Sequence, residues 1–336
     1  MAQVGSAENA KLMFETIPEF VDWTQLSDDG DNQTFTSGDG LWSGQSEYEA
    51  EVRPNGLLTG GDITPGSSDS TVDVAALTCW LAGELTSVSA ESGFAVTRPT
   101  GDNAKISSIT INSSGAVAEV EGAEATGTTF SSERGAGGGP PWIPTGSIEI
   151  GQVRMTSSTA AVFTSDQIKQ VPNTHKEMAD FPTWDVNMLD GQAEFNSALP
   201  TIHSDDDGST EETKEVYATY YSAEDAMVEQ PYAYDFVPPV NSHSVSSTQV
   251  YGATVGSRST SLGQGSFESM MKDNATDMIL GYVDKVLWFK FFPDRNKSPY
   301  VLCQGKLGFT PANPASGNQT ASFTISSTEA SERKSS

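Results

Sequence analysis

The sequence predicts a mainly β protein: an antiparallel β-sandwich or partly closed barrel with one flanking helix, preceded by a β-rich N-terminal region with long arms. Three observations predict it. Gly (31) and Pro (17) punctuate the 336 residues into short segments, a composition that favours strands and turns over long helices. Many of those segments alternate apolar and polar residues with the period of two that half-buries a strand. Only one segment repeats its apolar residues at spacings of three and four.

In order along the chain, residues 1–61 read as an N-terminal arm with loops, because "FETIPEFVDW" lacks a clean period and "SDDGDNQTFTSGDGLWSGQ" is punctuated by Gly and Asp. Residues 62–145 read as a β-rich N-terminal domain. Val72, Val74, Leu77 and Trp80 mark one apolar run, and Ile109 and Ile111 lead through "NSSG" to Val117 and Val120 as a hairpin. The stretch "SSERGAGGGPPWIPTG" cannot be regular structure and is taken as a domain boundary. Residues 146–330 form the second domain, and residues 331–336 a frayed tail.

Within that second domain, Phe267, Met270, Met271, Ala275, Met278, Ile279 and Tyr282 predict an amphipathic helix over about 265–283. The next segment, "VLWFKFFPDRNKSPYVLCQGKL", predicts a hairpin, with Leu287, Phe289 and Phe291 on its core face beneath the helix residues Phe267 and Met271. Ala321, Phe323 and Ile325 alternate with Thr320, Ser322, Thr324 and Ser326 in a last strand.

Charge and motif content narrow the function. The formal net charge is −27, and residues 1–150 hold 22 acidic against 5 basic residues. Such a surface lacks the cations that grip nucleic-acid phosphates. Cys79 and Cys303 are too few for a disulfide framework and read as buried free thiols. No basic-then-apolar leader opens the chain and no window approaches a membrane span, so folding in a cytoplasm and no membrane insertion are expected.

His175, His203 and His243 sit in polar, loop-like contexts without a second ligand at metal spacing. "HSDDDGSTEE" fails as a calcium loop: with Gly208 at position six, His203 and Lys214 fall where carboxylates are required. "LSDDGDN" fails likewise, with Gln25 first. "RGAGGGPP" has no Lys-Ser/Thr pair to cradle phosphate, and no G-x-S-x-G elbow occurs. No catalytic residue, cofactor or metal is expected, and the chain reads as a non-enzyme.

Against that background the segments "SIEIGQVRMTSS", "GQGSFESMM" and "LWFKFFPDRNKSPYVLCQGKLGFTPANPASGNQTASFTISS" together resemble the tail tube (major tail) proteins of tailed bacteriophages. The end carries most of the likeness: a hydrophobic strand returns into Gly305, Leu307, Gly308, Phe309, Pro311 and Pro314, then the Thr320–Ser326 strand. The resemblance implies a virion structural subunit, assembled in the host cytoplasm, whose six copies form a ring. Rings stack into a conduit for DNA ejection, with tape-measure and terminator proteins as partners and DNA passing without specific binding. An acidic lumen would repel DNA and let it slide. The loop "PDRNKSP" brings Arg295, Asn296 and Lys297 to a turn and is expected to meet an acidic surface of a neighbouring subunit. The alternative is another virion structural or surface protein, such as a head decoration, baseplate or host-binding β-domain, in which Trp23, Trp42, Trp80 or Trp142 could serve exposed binding. A hydrolase whose site forms only in three dimensions is the third reading.

Overall fold

A computed structural model of the protein describes residues 7–30, 33–204 and 211–335. The fold is mainly β, built from antiparallel sheets. The chain divides into two compact units. The first comprises residues 1–21, 39–50 and 220–336; the second comprises residues 22–38 and 51–219.

Strands of the first unit are numbered here in chain order: β1 (Lys11–Glu15), β2 (Met227–Gln230), β3 (Ala233–Val237), β4 (Asn241–Val250), β5 (Ala253–Leu262), β6 (Gly265–Met270), β7 (Val286–Phe292), β8 (Tyr300–Ala312), β9 (Thr320–Ser326) and β10 (Glu332–Lys334). Eight of them form one sheet in the order β2-β1-β7-β8-β9-β6-β3, with β10 also on β8. The two end strands, β2 and β3, follow each other in the chain with only Pro231 and Tyr232 between them. Three Cα–Cα steps span at most about 11 Å, so the sheet must curl until its ends approach. Gln230 Nε2 donates to Ser269 Oγ (3.0 Å) and the Met270 N–H donates to the Tyr232 carbonyl (3.3 Å) across that closure. No ladder joins β2 to β3 among the described residues, so the curl is not a closed barrel.

Alternation explains which side is filled. Leu12 and Phe14 of β1, Phe267 of β6, Leu287 and Phe289 of β7, Leu307 of β8, and Phe323 and Ile325 of β9 converge in one buried cluster. Phe267 stacks on Phe323 at 4.7 Å and lies 6.1 Å from Phe289. Burying side chains of this size contributes about 1.5–3 kcal/mol each. The β7–β8 hairpin has the expected antiparallel register, Phe291 opposite Val301 and Leu287 opposite Gly305, and Phe291 packs partly buried against the cluster.

The helix expected over 265–283 is not there. Gly265–Met270 is a strand and Met278–Tyr282 a short 3₁₀ turn. The inward positions of the strand are Gly265, Phe267 and Ser269, so two of three are small or polar and the period of two is hidden from a hydrophobicity reading. Side-chain bonds to the backbone then hold the following segment out of helix. Asp277 accepts from the N–H groups of Lys272, Asp273 and Asn274, and Asp273 accepts from those of Ala275 and Thr276. Met271 still joins the core, from the loop after β6. The expected frayed tail is likewise corrected: Glu332–Lys334 pairs with Tyr300–Leu302.

The first 61 residues are not an arm. Lys11–Glu15 lies inside the large sheet between β2 and β7, because Leu12 and Phe14 supply core side chains. Residues 39–50 form a strap in the same unit. Trp42 is fully buried and stacks on Tyr220 at 4.7 Å, and its carbonyl accepts from Trp288 Nε1 at 2.8 Å.

The second unit gathers short sheets around a core of Leu57, Val72, Leu77, Ile109, Ile148, Ile150 and Val153 among others. The predicted hairpin is present, Lys105–Ile111 pairing with Val117–Glu121. Lys105–Ile111 also pairs with Ile148–Met155 on its other side. The boundary expected at 145/146 therefore does not exist: the strands on either side of it are neighbours in one sheet. The glycine-rich stretch is a compact turn rather than a linker. Arg134 donates to the Pro141 carbonyl and reaches Glu149. Gly139 lies so close to the Glu133 carbonyl that a Cβ would stand 2.0 Å from that oxygen.

Candidate assembly surface

Among the described residues of unit one, one element forms no ladder with the large sheet. β4 and β5 form a two-stranded ribbon, each strand ten residues long, paired from Asn241 opposite Leu262 to Val250 opposite Ala253. Its chemistry is local. Thr and Val favour extended backbone, and Tyr251–Gly252 makes a two-residue turn in which Gly252 takes φ +80°, a conformation that costs glycine little. The Gly263 N–H donates to the Val240 carbonyl at 2.9 Å and fastens the base. Ten residues at about 3.4 Å each give a ribbon about 34 Å long.

Both faces of this ribbon are exposed along its length, including Val245, Val255 and the tip residue Tyr251. Both outer edges lack a ladder partner among the described residues. A lone hairpin is marginally stable in water, and an open strand edge is a template for pairing with another chain.

The residues singled out from sequence fall elsewhere. Arg295 lies 3.4 Å from Glu229 and donates to the Ala10 carbonyl at 3.1 Å. Lys297 lies 3.1 Å from Asp294, which also accepts from the Asn296 N–H. The loop is exposed, but its cations already face carboxylates of their own unit.

The tryptophans offer no open aromatic platform. Trp42 is buried. Trp23 and Trp80 share the Arg53 guanidinium, 5.9 and 4.5 Å from their ring centres. Gly135 lies against the Trp142 indole.

One histidine departs from expectation. His203 is not on an exposed loop; it is 3 % exposed, on a strand parallel to Ile143–Pro144, with Nε2 3.1 Å from Glu177. Burial opposes its charge, but Glu177 and Glu215 outweigh that and hold the imidazole above its ordinary value. Nearby, Lys214 donates to the carbonyls of Met178 and Phe181, and burial lowers its amine. Burial likewise raises Glu149, although Arg134 and Ser108 both bond it. These groups line or flank a cavity of about 30 Å³, the space of one water. Each is committed to a structural partner, and no cluster suited to a metal ion occurs among the described residues. The 26-residue gap between Glu177 and His203 left no local signal for this pair in the sequence.

His175 accepts from the Val171 N–H at 3.3 Å, and His243 sits on the ribbon beside Thr260. The acidic stretch of residues 205–210 lies outside the described residues. Of "LSDDGDN", Asp31 and Asn32 do as well. No protein-family model, curated protein or solved structure matches the chain.

Proposed function

We propose that the chain is a structural virion protein, a subunit of a phage tail tube that assembles as stacked rings, six copies to a ring, around a conduit for DNA. The observation that carries this reading is the ribbon: two ten-residue strands whose outer edges have no ladder partner among the described residues. A second copy supplies such a partner. In the ring, the curled β2-to-β3 sheet of unit one contributes its polar outward strand positions to a larger barrel, which is the partly closed architecture the sequence suggests.

Two further observations support it. The segments that carry the tail-tube likeness from residue 263 onward all belong to unit one, as adjacent strands β6, β8 and β9 with their hairpin partner β7. The net charge of −27 suits a conduit that must not hold DNA. The earlier part of the likeness, residues 147–158, belongs to the second unit, so the likeness is divided between the two units. Tape-measure and terminator proteins are the partners this assignment brings, in the virion tail.

The test is assembly of the purified full chain. Light scattering and negative-stain microscopy over a concentration series should reveal rings and then tubes. A monomer at every concentration, with particle images placing the protein outside the tail tube, would overturn the assignment.

A further inference from the structure

The ribbon's two faces differ in a way that orients it. On one face Ser242, Ser244 and Ser246 stand opposite Ser261, Ser259 and Ser257. Their hydroxyls bond across the ribbon at 2.8, 2.7 and 2.7 Å. This face is small, uncharged and already satisfied, and Thr248 and Val255 continue it toward the tip. The opposite face carries His243 with Thr260, Val245 with Arg258, and Gln249 with Thr254.

Arg258 is the ribbon's one cation, and it makes no ion pair with the described residues. Among the described residues of its unit Lys11, Lys272 and Arg333 likewise make no ion pair, but none of them is on the ribbon. Lys285, Lys290, Arg295, Lys297, Lys306 and Lys334 each lie within 3.6 Å of a carboxylate. Beside Arg258 in the cross-strand pair, Val245 is 72 % exposed. An aliphatic side chain next to an arginine stem is a contact that gains from being covered. The serines gain little, because their hydroxyls have no unmet bonds and their carbons bury little area; Val255, 58 % exposed near the tip, is the one large apolar side chain on that face.

We infer that the ribbon docks on a second copy of this chain with its Val245–Arg258 face inward, Arg258 meeting a carboxylate of that copy, and its serine face outward. The inference rests on the self-assembly reading above and adds the face and the charge. The occupant is a second copy because charge complementarity points there: a chain of net −27 offers carboxylates to any docked cation. Tyr251, fully exposed at the tip, supplies an aromatic anchor at the far end of the same contact.

Full-length wild type, Arg258→Glu, Arg258→Lys, Val245→Asp and Ser259→Gln are compared by sedimentation and negative-stain microscopy over a concentration series, with circular dichroism to check the fold. Arg258→Glu and Val245→Asp should raise the concentration needed for assembly about tenfold or more, while Arg258→Lys retains part of it. Ser259→Gln adds bulk to the serine face and should assemble like wild type. Folded Arg258→Glu protein that assembles at the wild-type concentration, or a block by Ser259→Gln, overturns the orientation while leaving self-assembly intact. A wild-type chain that never assembles overturns both.

Discussion

Replacing Glu15 by Gln should stabilise the first unit at pH 8 and leave it nearly unchanged at pH 4, below the unfolded carboxyl value. Glu15 is fully buried on β1, beneath the 39–50 strap. Burial pushes its carboxyl up to about 7 from 4.5. The Ser43 hydroxyl, the Trp288 N–H and the Gly44 N–H oppose that rise without cancelling it, and the charge of Glu47 adds to it. The Trp288 N–H donates to the carboxylate at 3.1 Å. A carboxyl whose folded value lies above its unfolded one binds its proton more tightly in the folded chain. Its contribution to stability is therefore greatest below the unfolded value of 4.5 and falls as pH rises toward 7. A difference of roughly 2.5 units at about 1.4 kcal/mol per unit is about 3 kcal/mol. Gln has the same shape. Its carbonyl can accept from the Trp288 N–H and its amide can donate to Ser43, and it never ionises.

The assay is urea unfolding of wild type and Glu15→Gln at intervals from pH 4 to 8.5, followed by tryptophan fluorescence. Trp42 and Trp288, which flank the site, report on this unit. The wild type should lose stability across this range relative to the variant, until the variant leads by about 3 kcal/mol at pH 8. Parallel pH profiles, or a variant weaker than wild type at pH 8, would mean that the three donors solvate the carboxylate fully and would refute the reasoning.

Two further predictions concern other charged groups. His203 is held above its ordinary 6.5 by Glu177 despite its burial, so its contribution is complete below 6.5 and is lost as pH rises through the higher folded value. Comparing wild type with His203→Gln should reveal a stability difference that shrinks with pH above 6.5, and parallel profiles would show that the imidazole stays neutral when folded. Arg295→Glu combined with Lys297→Glu removes two exposed ion pairs, which contribute little in water. The melting transition should hold and the assembly threshold should move less than for Arg258→Glu; a larger shift would return the 293–299 loop to the interface.

Legibility followed the physics of each segment. The β7–β8 hairpin and β9 could be read because large apolar residues mark most inward positions, Leu287, Phe289 and Leu307 in the first and Phe323 and Ile325 in the second, even though Gly305 and Ala321 also face inward. β6 could not, because Gly265 and Ser269 occupy inward positions and Met270, which points outward, completed a false helical stripe. The gap at Gly265 is required: a Cβ there would stand 2.9 Å from Pro239 and 3.2 Å from Ile325. The misplaced boundary at 145/146 came from reading glycines as slack. They instead let backbone approach backbone, as at Gly139 and Glu133. The ribbon was hidden because neither face is apolar, so nothing in its Ser-rich composition alternates in hydrophobicity. Its remaining trace was β-favouring Val and Thr on both sides of Tyr251–Gly252. Arg295 and Lys297 were selected as rare positive charges, but rarity says nothing about pairing: both face carboxylates of their own unit, whereas Arg258, on the ribbon, makes no ion pair with the described residues.

The distribution of strand edges in unit one bears on assembly independently of any single charge. The large sheet ends in β2 and β3, of four and five residues, and the chain itself ties these short edges near each other. Short, occluded edges are the usual protection against unwanted pairing. The ribbon reverses that pattern. Each of its strands has ten residues, with no proline, no lysine and one arginine, and both outer edges are open. Its side chains are mostly polar, but they do not satisfy the backbone groups along those edges. A fold that shortens the edges of its sheet while extending a 34 Å ribbon (about 3.4 Å per residue) has separated the two tasks. The curled sheet stabilises the unit, and the ribbon keeps two long edges without a ladder partner among the described residues.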